Sequence, residues 1–486
     1  MDIDVTGVLI VLFIATQLLY LAAYGVEAYI FSLPVNMVDM GARTEPPGRK
    51  PFIVLFYPVL RELEATMRTT FEAIARVDYP RDRFEVVAIP NADDADTIAS
   101  LRRMQRDYPF LTIRAVPPTD DISWQAVWDQ WAHNPKAYWW HQGSRAGTRD
   151  LPAKKTRQLI WAMYTVFEDR RATGEDWLLN YIDADSAPVA DHFLAGARGM
   201  ERYDVLQSTN VAGNLNASIA ASWHAFDHMA WDGRKYPHLS ADGRQPYWVL
   251  GKGLFFRSSD LVALGGFNPW ITIEDPEVGM RFWKNGKRLG IIEAPLIEEV
   301  PECFGHGITQ RKRWVAGFFQ SLGAPLDAMG FTRAEKFRAW LNFLPCLSLW
   351  INPIGLPVGI WAGVTWWQGT GVLPEWTIYL SLFNIACYAI GMTALYRSTW
   401  TRTALVLDRT RDRVAYMARI NPLFIWAFWL VWLVPLWIGW RMYRRDHGLT
   451  WERTEKIDAN NRLVRAKIAE DALIATVLPP RVATRT

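Results

Sequence analysis

Charge is almost absent from two parts of this sequence, and that distribution restricts the fold more than any other property. From Val5 to Leu33 the sole charged residue is Glu27, enough apolar chain for one helix of about 20 residues to cross a bilayer with some tilt. A cleaved signal peptide fits less well, because Asp2 and Asp4 stand where lysines are usual and the run is too long. Arg43, Arg49 and Lys50 follow it, and basic flanks stay on the cytoplasmic side. The N-terminus is therefore expected outside and the central region in the cytoplasm. In the carboxyl third, Leu341–Trp367, Trp376–Tyr396 and Ile420–Trp440 have spanning length, interrupted by Pro345, Pro353, Pro357 and Pro435. Glu335–Trp340 reads as an interface helix, and the arginine-rich Arg397–Arg419 as cytoplasmic or bound to headgroups. Three crossings would leave Arg441, Arg444 and Arg445 outside, against the same charge rule, so one stretch is expected to be re-entrant or interfacial.

The expected organisation is a transmembrane helix and linker over 1–45, a cytoplasmic α/β domain over 46–333, an interface helix with further transmembrane helices over 334–445, and a polar cytoplasmic tail over 446–486. The expectation is a multi-pass protein of the cell membrane with the bilayer as a partner. A chain of 486 residues is too long for one ordinary domain, and its 26 tryptophans, many in the last third, suit membrane interfaces. The net charge of +3 argues neither for nor against nucleic acid, and no nucleic-acid partner is expected. Cys303, Cys346 and Cys387 are scattered, which indicates neither a disulfide framework nor a cysteine metal site.

Within the central region Pro51–Val59 and Phe84–Pro90 read as strands around a helical Glu62–Ala75, and the second strand runs into an acidic loop, Asn91–Thr97. That is the plan of a nucleotide-binding α/β layer with ligands at its strand ends. Neither G-x-G-x-x-G nor G-x-x-x-x-G-K-[ST] occurs, so a dinucleotide or P-loop site has no support. Asp93 and Asp94 are candidates for a nucleobase or ribose contact, or are plain turn residues. Leu151–Glu168 follows as a helix, where Lys154, Lys155 and Arg157 could approach a diphosphate or lie on a solvated face.

Three later motifs carry the chemistry. Trp177–Ile182 is a buried-strand pattern that ends in Asp183 and Asp185. Two carboxylates so placed suit Mg²⁺ or Mn²⁺ that is also held by substrate phosphates, although D-x-D alone is common enough to be a solvated turn. Gly251–Phe267 reads as a strand, a turn and a short helix. In Ile271–Gly286, Asp275 is placed as helix N-cap, Pro276 as first helical residue and Asn285-Gly286 as the stop. A carboxylate fixed there is either a cap or a rigidly aimed general base. Thr309–Gly317 puts Gln310, Arg313 and Trp314 on one helix face. Arginine can grip phosphate oxygens and an indole can lie against a sugar ring; a basic helix resting on anionic lipid is the other reading. His224, His228 and His306 read as structural.

Taken in order, Asp183-Ala-Asp185, Glu274-Asp275 and Gln310-Arg-Lys-Arg313-Trp314 resemble the D-x-D, ED and Q-x-x-R-W signature of family 2 glycosyltransferases. The branch it resembles is the membrane-integrated one that includes cellulose, chitin and hyaluronan synthases and the glycolipid β-mannosyltransferases. The resemblance runs from Pro51 to Gly317. It implies a GT-A fold with a Rossmann-like mixed sheet, a nucleotide-sugar donor (a UDP-sugar ahead of a GDP-sugar), Mg²⁺ or Mn²⁺, and inversion at the anomeric carbon. By position, Asp185 would bind the metal with Asp183 close to the donor diphosphate, and Asp275, beside Glu274, would take the acceptor proton. Arg313 would face the pyrophosphate, while Trp314 and Gln310 would line the acceptor pocket. Two departures are visible: Pro90-Asn91-Ala92-Asp93 stands where the family commonly reads D-D-G-S, and the K-x-x-A-L-N segment matches through Lys155 and Leu159 but has Ile160 in place of asparagine.

The acceptor is expected to be a growing β-glycan, with a lipid that receives a single sugar as the alternative. A catalytically silent membrane scaffold that binds carbohydrate is the reading from another class, and the intact acidic motifs count against it.

Overall fold

The computed structural model describes residues 4–40 and 50–445. The polar tail, together with Arg43 and Arg49 on which the orientation rests, lies outside the described residues. Seven strands form one mixed sheet among them: β1 (Ile53–Pro58), β2 (Phe84–Ile89), β3 (Leu111–Ile113), β4 (Leu178–Tyr181), β5 (Val205–Ala212), β6 (Leu254–Arg257) and β7 (Leu289–Glu298), in the order β3-β2-β1-β4-β6-β5-β7. β1 is parallel to β2 and β4, and β2 to β3, whereas β6 runs antiparallel to both β4 and β5. β5 and β7 are parallel, with a register irregularity between Ser208 and Asn210.

Strand β1 explains why the sequence here is a continuous apolar run. Val54 and Phe56 face one buried cluster, Ile53, Leu55 and Tyr57 the other, so both faces of the sheet are covered and neither set can be polar. After β1 the chain moves outward through β2 and β3, then returns to place β4 on the other side of β1. That reversal opens a crevice beyond the carboxyl ends of β1 and β4, where an α/β sheet binds ligands.

Among the described residues three helices are long and apolar enough to cross a membrane: Val5–Ser32, Trp376–Thr403 and Phe424–Arg444. The stretch Leu341–Trp367, expected to be interrupted by prolines, is broken into separate helices. A helix over Arg333–Leu347, which absorbs the expected interface segment Glu335–Trp340, gives way to a 3₁₀ turn at Ser348–Ile351 and a new helix at Asn352–Trp367. Pro353, at the start of that new helix, has no N–H to donate to the preceding turn, which favours a restart there. Asn352–Trp367 packs antiparallel on the first helix, with the Tyr20 hydroxyl donating to Asn352 Oδ1 at 2.7 Å and Phe13 meeting Trp366 edge-on at 5.6 Å. Trp376–Thr403 joins them through Asn384 Nδ2, which donates to Gln17 Oε1 at 2.9 Å.

The last apolar helix behaves differently. It runs alongside the helix Phe304–Leu322, which carries Gln310, Arg313 and Trp314. Phe428 and Trp432 flank Arg311, Gly439 abuts Lys312 and Val315, and Tyr443 stacks on Phe319 at 5.6 Å. A Cβ at Gly439 would come within 2.6 Å of the Lys312 carbonyl, so this close approach depends on glycine.

Candidate active site

The carboxyl end of β4 delivers Asp183 and Asp185 as the sequence pattern predicts. The loop between them is fixed from β1 and the following helix: Tyr57 Oη and Thr70 Oγ1 both donate to the Ala184 carbonyl, at 2.6 and 3.1 Å. Asp185 Oδ2 accepts the Glu299 backbone N–H at 3.2 Å, which ties the loop to the end of β7.

Asp275 corrects the expected capping register. It is the first residue of the helix Asp275–Lys284, Glu274 holds the N-cap position, and no side chain caps the helix. The Asp275 carboxylate turns into the site instead, where Oδ2 accepts the Gly251 N–H at 2.7 Å. The Gly251 amide and the adjacent Lys155 ammonium offer it stronger partners than a cap would. A side chain at Gly251 would set a Cβ 3.0 Å from Tyr181 Oη and 3.5 Å from Asp275 Oδ2. Burial first, and the neighbouring Glu274 second, push the Asp275 carboxyl up to about 7.

Lys155 joins two motifs. Its Nζ lies 3.1 Å from Asp183 Oδ1 and 3.1 Å from Glu274 Oε1. Burial pulls its pKa down, but Asp183, Glu274 and Asp275 outweigh that and hold it above the usual lysine range. Glu274 is further committed to Thr156, which donates from Oγ1 at 3.1 Å, and to Tyr181, whose hydroxyl donates at 3.4 Å.

These residues share one cleft. Asp183, Asp185, Lys155, Glu274, Asp275, Gln310, Arg313 and Trp314 all line a cavity of about 270 Å³ that begins at Pro58 and Leu60 beyond β1. Asp93 and Asp94 are not in its lining. Asp94 is spent as the N-cap of the helix Ala95–Met104, accepting from Thr97 N at 3.3 Å, and it also takes the Arg61 N–H at 2.7 Å. Asp93 is exposed, near the charge of Arg157. Arg157 itself donates to Asn91 Oδ1 at 3.2 Å.

The cleft also contains groups that the sequence patterns do not single out. Glu298 and Glu299 from the end of β7, Lys252 after Gly251, and Asp227, His228 and Trp231 line it. Burial raises the Glu298 carboxyl, opposed by Lys252 and aided by Asp185 and Asp183. The His228 ring packs 5.4 Å from Trp314. Nothing local in the sequence distinguishes these residues: long-range strand pairing brings Glu298, Glu299 and Lys252 here, and the packing of the helix Ile219–Ala230 brings Asp227, His228 and Trp231. Among the described residues no group of three or more His, Cys, Asp or Glu gathers as a metal cage.

A seven-stranded GT-A-like sheet with acidic groups at its carboxyl edge and apolar helices at both ends of the chain defines a glycosyltransferase. A family model described as Glycosyl transferase family group 2 matches residues 178–440, more than half of the sequence, and the chain belongs to that family. The fold is similar to that of the mannosyltransferase PcManGT from Pyrobaculum calidifontis, in complex with GDP-Man and Mn²⁺, at 16% identity and a TM-score of 0.50 over 80% of this chain and 98% of that one. TarS from S. aureus, residues 1–349 with UDP-GlcNAc, matches at 11% identity and a TM-score of 0.31 over 84% of this chain and 95% of its own. No curated protein sequence matches.

Proposed function

We propose that the cleft transfers a sugar, with inversion, from a nucleotide-sugar donor to an acceptor hydroxyl at the cytoplasmic face of the membrane. One observation carries the reading: carboxylates, a lysine, an arginine and an indole from segments spread between Lys155 and Trp314 line one cavity at the switch point of the sheet. Asp275 is the general base. Its pKa near neutrality lets it hold a proton taken from the acceptor and still be ionised beforehand. Glu274 keeps Lys155 in place, and Lys155 with Arg313 faces the donor diphosphate. Trp314 and Gln310 hold the acceptor, so that acceptor oxygen and anomeric carbon meet in line.

The oxygens of Asp183 and Asp185, on one loop at a strand end, are the hard donors that Mg²⁺ or Mn²⁺ takes, and these two residues would hold the cation. It would supply charge neutralisation of the departing diphosphate. Dependence on metal is supported, at the level of fold, by the Mn²⁺ bound to PcManGT.

A growing polysaccharide is the acceptor class suggested by the three motifs together. Transfer of a single sugar to a lipid is the second reading. It is favoured by the apolar wall that Phe318, Phe343, Leu349 and Leu436 build on the membrane-helix side of the cleft. For membrane topology we infer crossings by Val5–Ser32, by the broken segment ending at Trp367, and by Trp376–Thr403, with Phe424–Arg444 lying on the catalytic domain. That arrangement leaves Arg441, Arg444 and Arg445 cytoplasmic and removes the charge conflict.

The test is a panel of UDP- and GDP-sugars, GDP-mannose included, with Mg²⁺ or Mn²⁺ and nucleotide release as the readout. Turnover that survives Asp275→Asn would remove the proposed base. Product length then separates the two acceptors: a ladder of oligomers means a polysaccharide, a single solvent-extractable product a glycolipid.

A further inference from the structure

Behind Trp314 lies a buried network centred on Asp227, a residue outside the three motifs, with Arg311 from a variable position of Q-x-x-R-W. Asp227 and Arg311 are each 1% exposed, and Arg311 donates from Nη2 and Nε to Asp227 Oδ2 at 2.6 and 3.0 Å. The same oxygen accepts the indole N–H of Trp432 at 3.1 Å, and Oδ1 accepts that of Trp231 at 2.9 Å. The Arg311 guanidinium in turn lies 5.6 Å from the Trp314 ring, 5.1 Å from Trp432 and 5.5 Å from Phe428. One carboxylate therefore gathers donors from the Gln310–Trp314 helix, from the turn after the helix Ile219–Ala230, and from the last apolar helix 205 residues away.

Placement gives the network its meaning. Asp227, Trp231, Trp314 and Trp432 line the cleft, while Arg311 stands behind Trp314. The donor-side groups Lys155, Asp183 and Asp275 hang on other elements. A buried ion pair is weak evidence for stability, because desolvation offsets most of its attraction. It does hold rings in fixed orientation, which a sugar-stacking slot requires.

We propose that Asp227 is a positioning residue for the acceptor: it locks Arg311 behind the Trp314 indole and sets Trp231 and Trp432 as further aromatic walls of the acceptor slot. The last apolar helix is thereby part of the substrate site. This rests on the reading that Trp314 faces the acceptor sugar.

The experiment measures full-length enzyme with the donor selected by the nucleotide-sugar panel and with octyl glycosides of glucose, mannose, galactose and N-acetylglucosamine as acceptor probes. Asp227→Asn keeps the shape but removes the charge facing Arg311. Trp432→Phe removes the indole N–H to Asp227 together with part of the ring that walls the slot, and is the second variant if the first fails to fold. The acceptor KM is expected to rise about tenfold in Asp227→Asn, the change produced by losing one good interaction, and by a smaller factor in Trp432→Phe, with the donor KM held within about twofold in both. A parallel rise of both KM values means a general structural role and overturns the proposal, as does an unchanged acceptor KM in Trp432→Phe. A wild type that consumes donor yet glycosylates none of the probes overturns the acceptor slot. A wild type that consumes no donor overturns the enzymatic reading itself.

Discussion

In the proposed mechanism Asp275 is the residue whose protonation decides whether the cleft can work. Its carboxyl is raised to about 7 by burial and by Glu274, so below neutrality it carries a proton and cannot accept another. The kcat/KM of the free enzyme is therefore expected to climb with pH through about 7 and level off above, and Asp275→Asn to lose the climb together with about 10²–10⁴-fold of the rate. Lys155 makes a second prediction. Lys155→Met leaves Glu274, 2% exposed, without its ammonium, which should cost about 3 kcal/mol in a denaturant melt and weaken donor binding. The motif residues stand out in the sequence because Asp183 and Asp185 follow a strand end, Asp275 opens a helix, and Gln310, Arg313 and Trp314 share one helix face. Asp93 and Asp94 read equally well as ligands, and only the geometry reveals that Asp94 caps a helix. Glu298, Glu299, Asp227 and His228 had no local signal, since nothing near them in sequence records what β7 or the helix Ile219–Ala230 packs against.

Among the elements, apolar strands and the helix of Gln310, Arg313 and Trp314 could be read from periodicity, but the roles of the carboxyl-terminal stretches could not. Hydropathy counts apolar residues without saying what they pack against: Trp376–Thr403 meets the first helix through Gln17, whereas Phe424–Arg444 runs along the helix that carries Trp314. The proposed topology predicts opposite labelling patterns for two cysteines placed in a background free of Cys303, Cys346 and Cys387. Arg444→Cys should react with a membrane-impermeant maleimide only in inverted vesicles, and Thr370→Cys only in intact cells; reaction of both from the same side would refute the arrangement. Gly439→Val should push this helix away from Lys312, by the 2.6 Å contact its Cβ would make. The expected result is lower transfer to acceptor and faster proteolysis around residue 439.

At the scale of the molecule, the cleft draws on residues from Pro58 to Leu436, and ligands should couple these distant parts. Donor with Mn²⁺ or Mg²⁺ at about 100 times Kd is expected to raise stability by about 2.7 kcal/mol, visible as a higher Tm. Removing metal with EDTA should abolish both that rise and sugar transfer, with recovery on adding either cation back. The order of motifs along the chain points to the proposed base, the proposed metal ligands and Trp314. The packing of Trp432 against Arg311 has no counterpart in that order.

Under the proposed role of Trp432, a chain cut before Phe424 keeps Asp183, Asp185 and Asp275 but lacks one side of the slot. Such a chain is expected to bind donor and yet pass no sugar on, a split that nucleotide binding set against product formation reads.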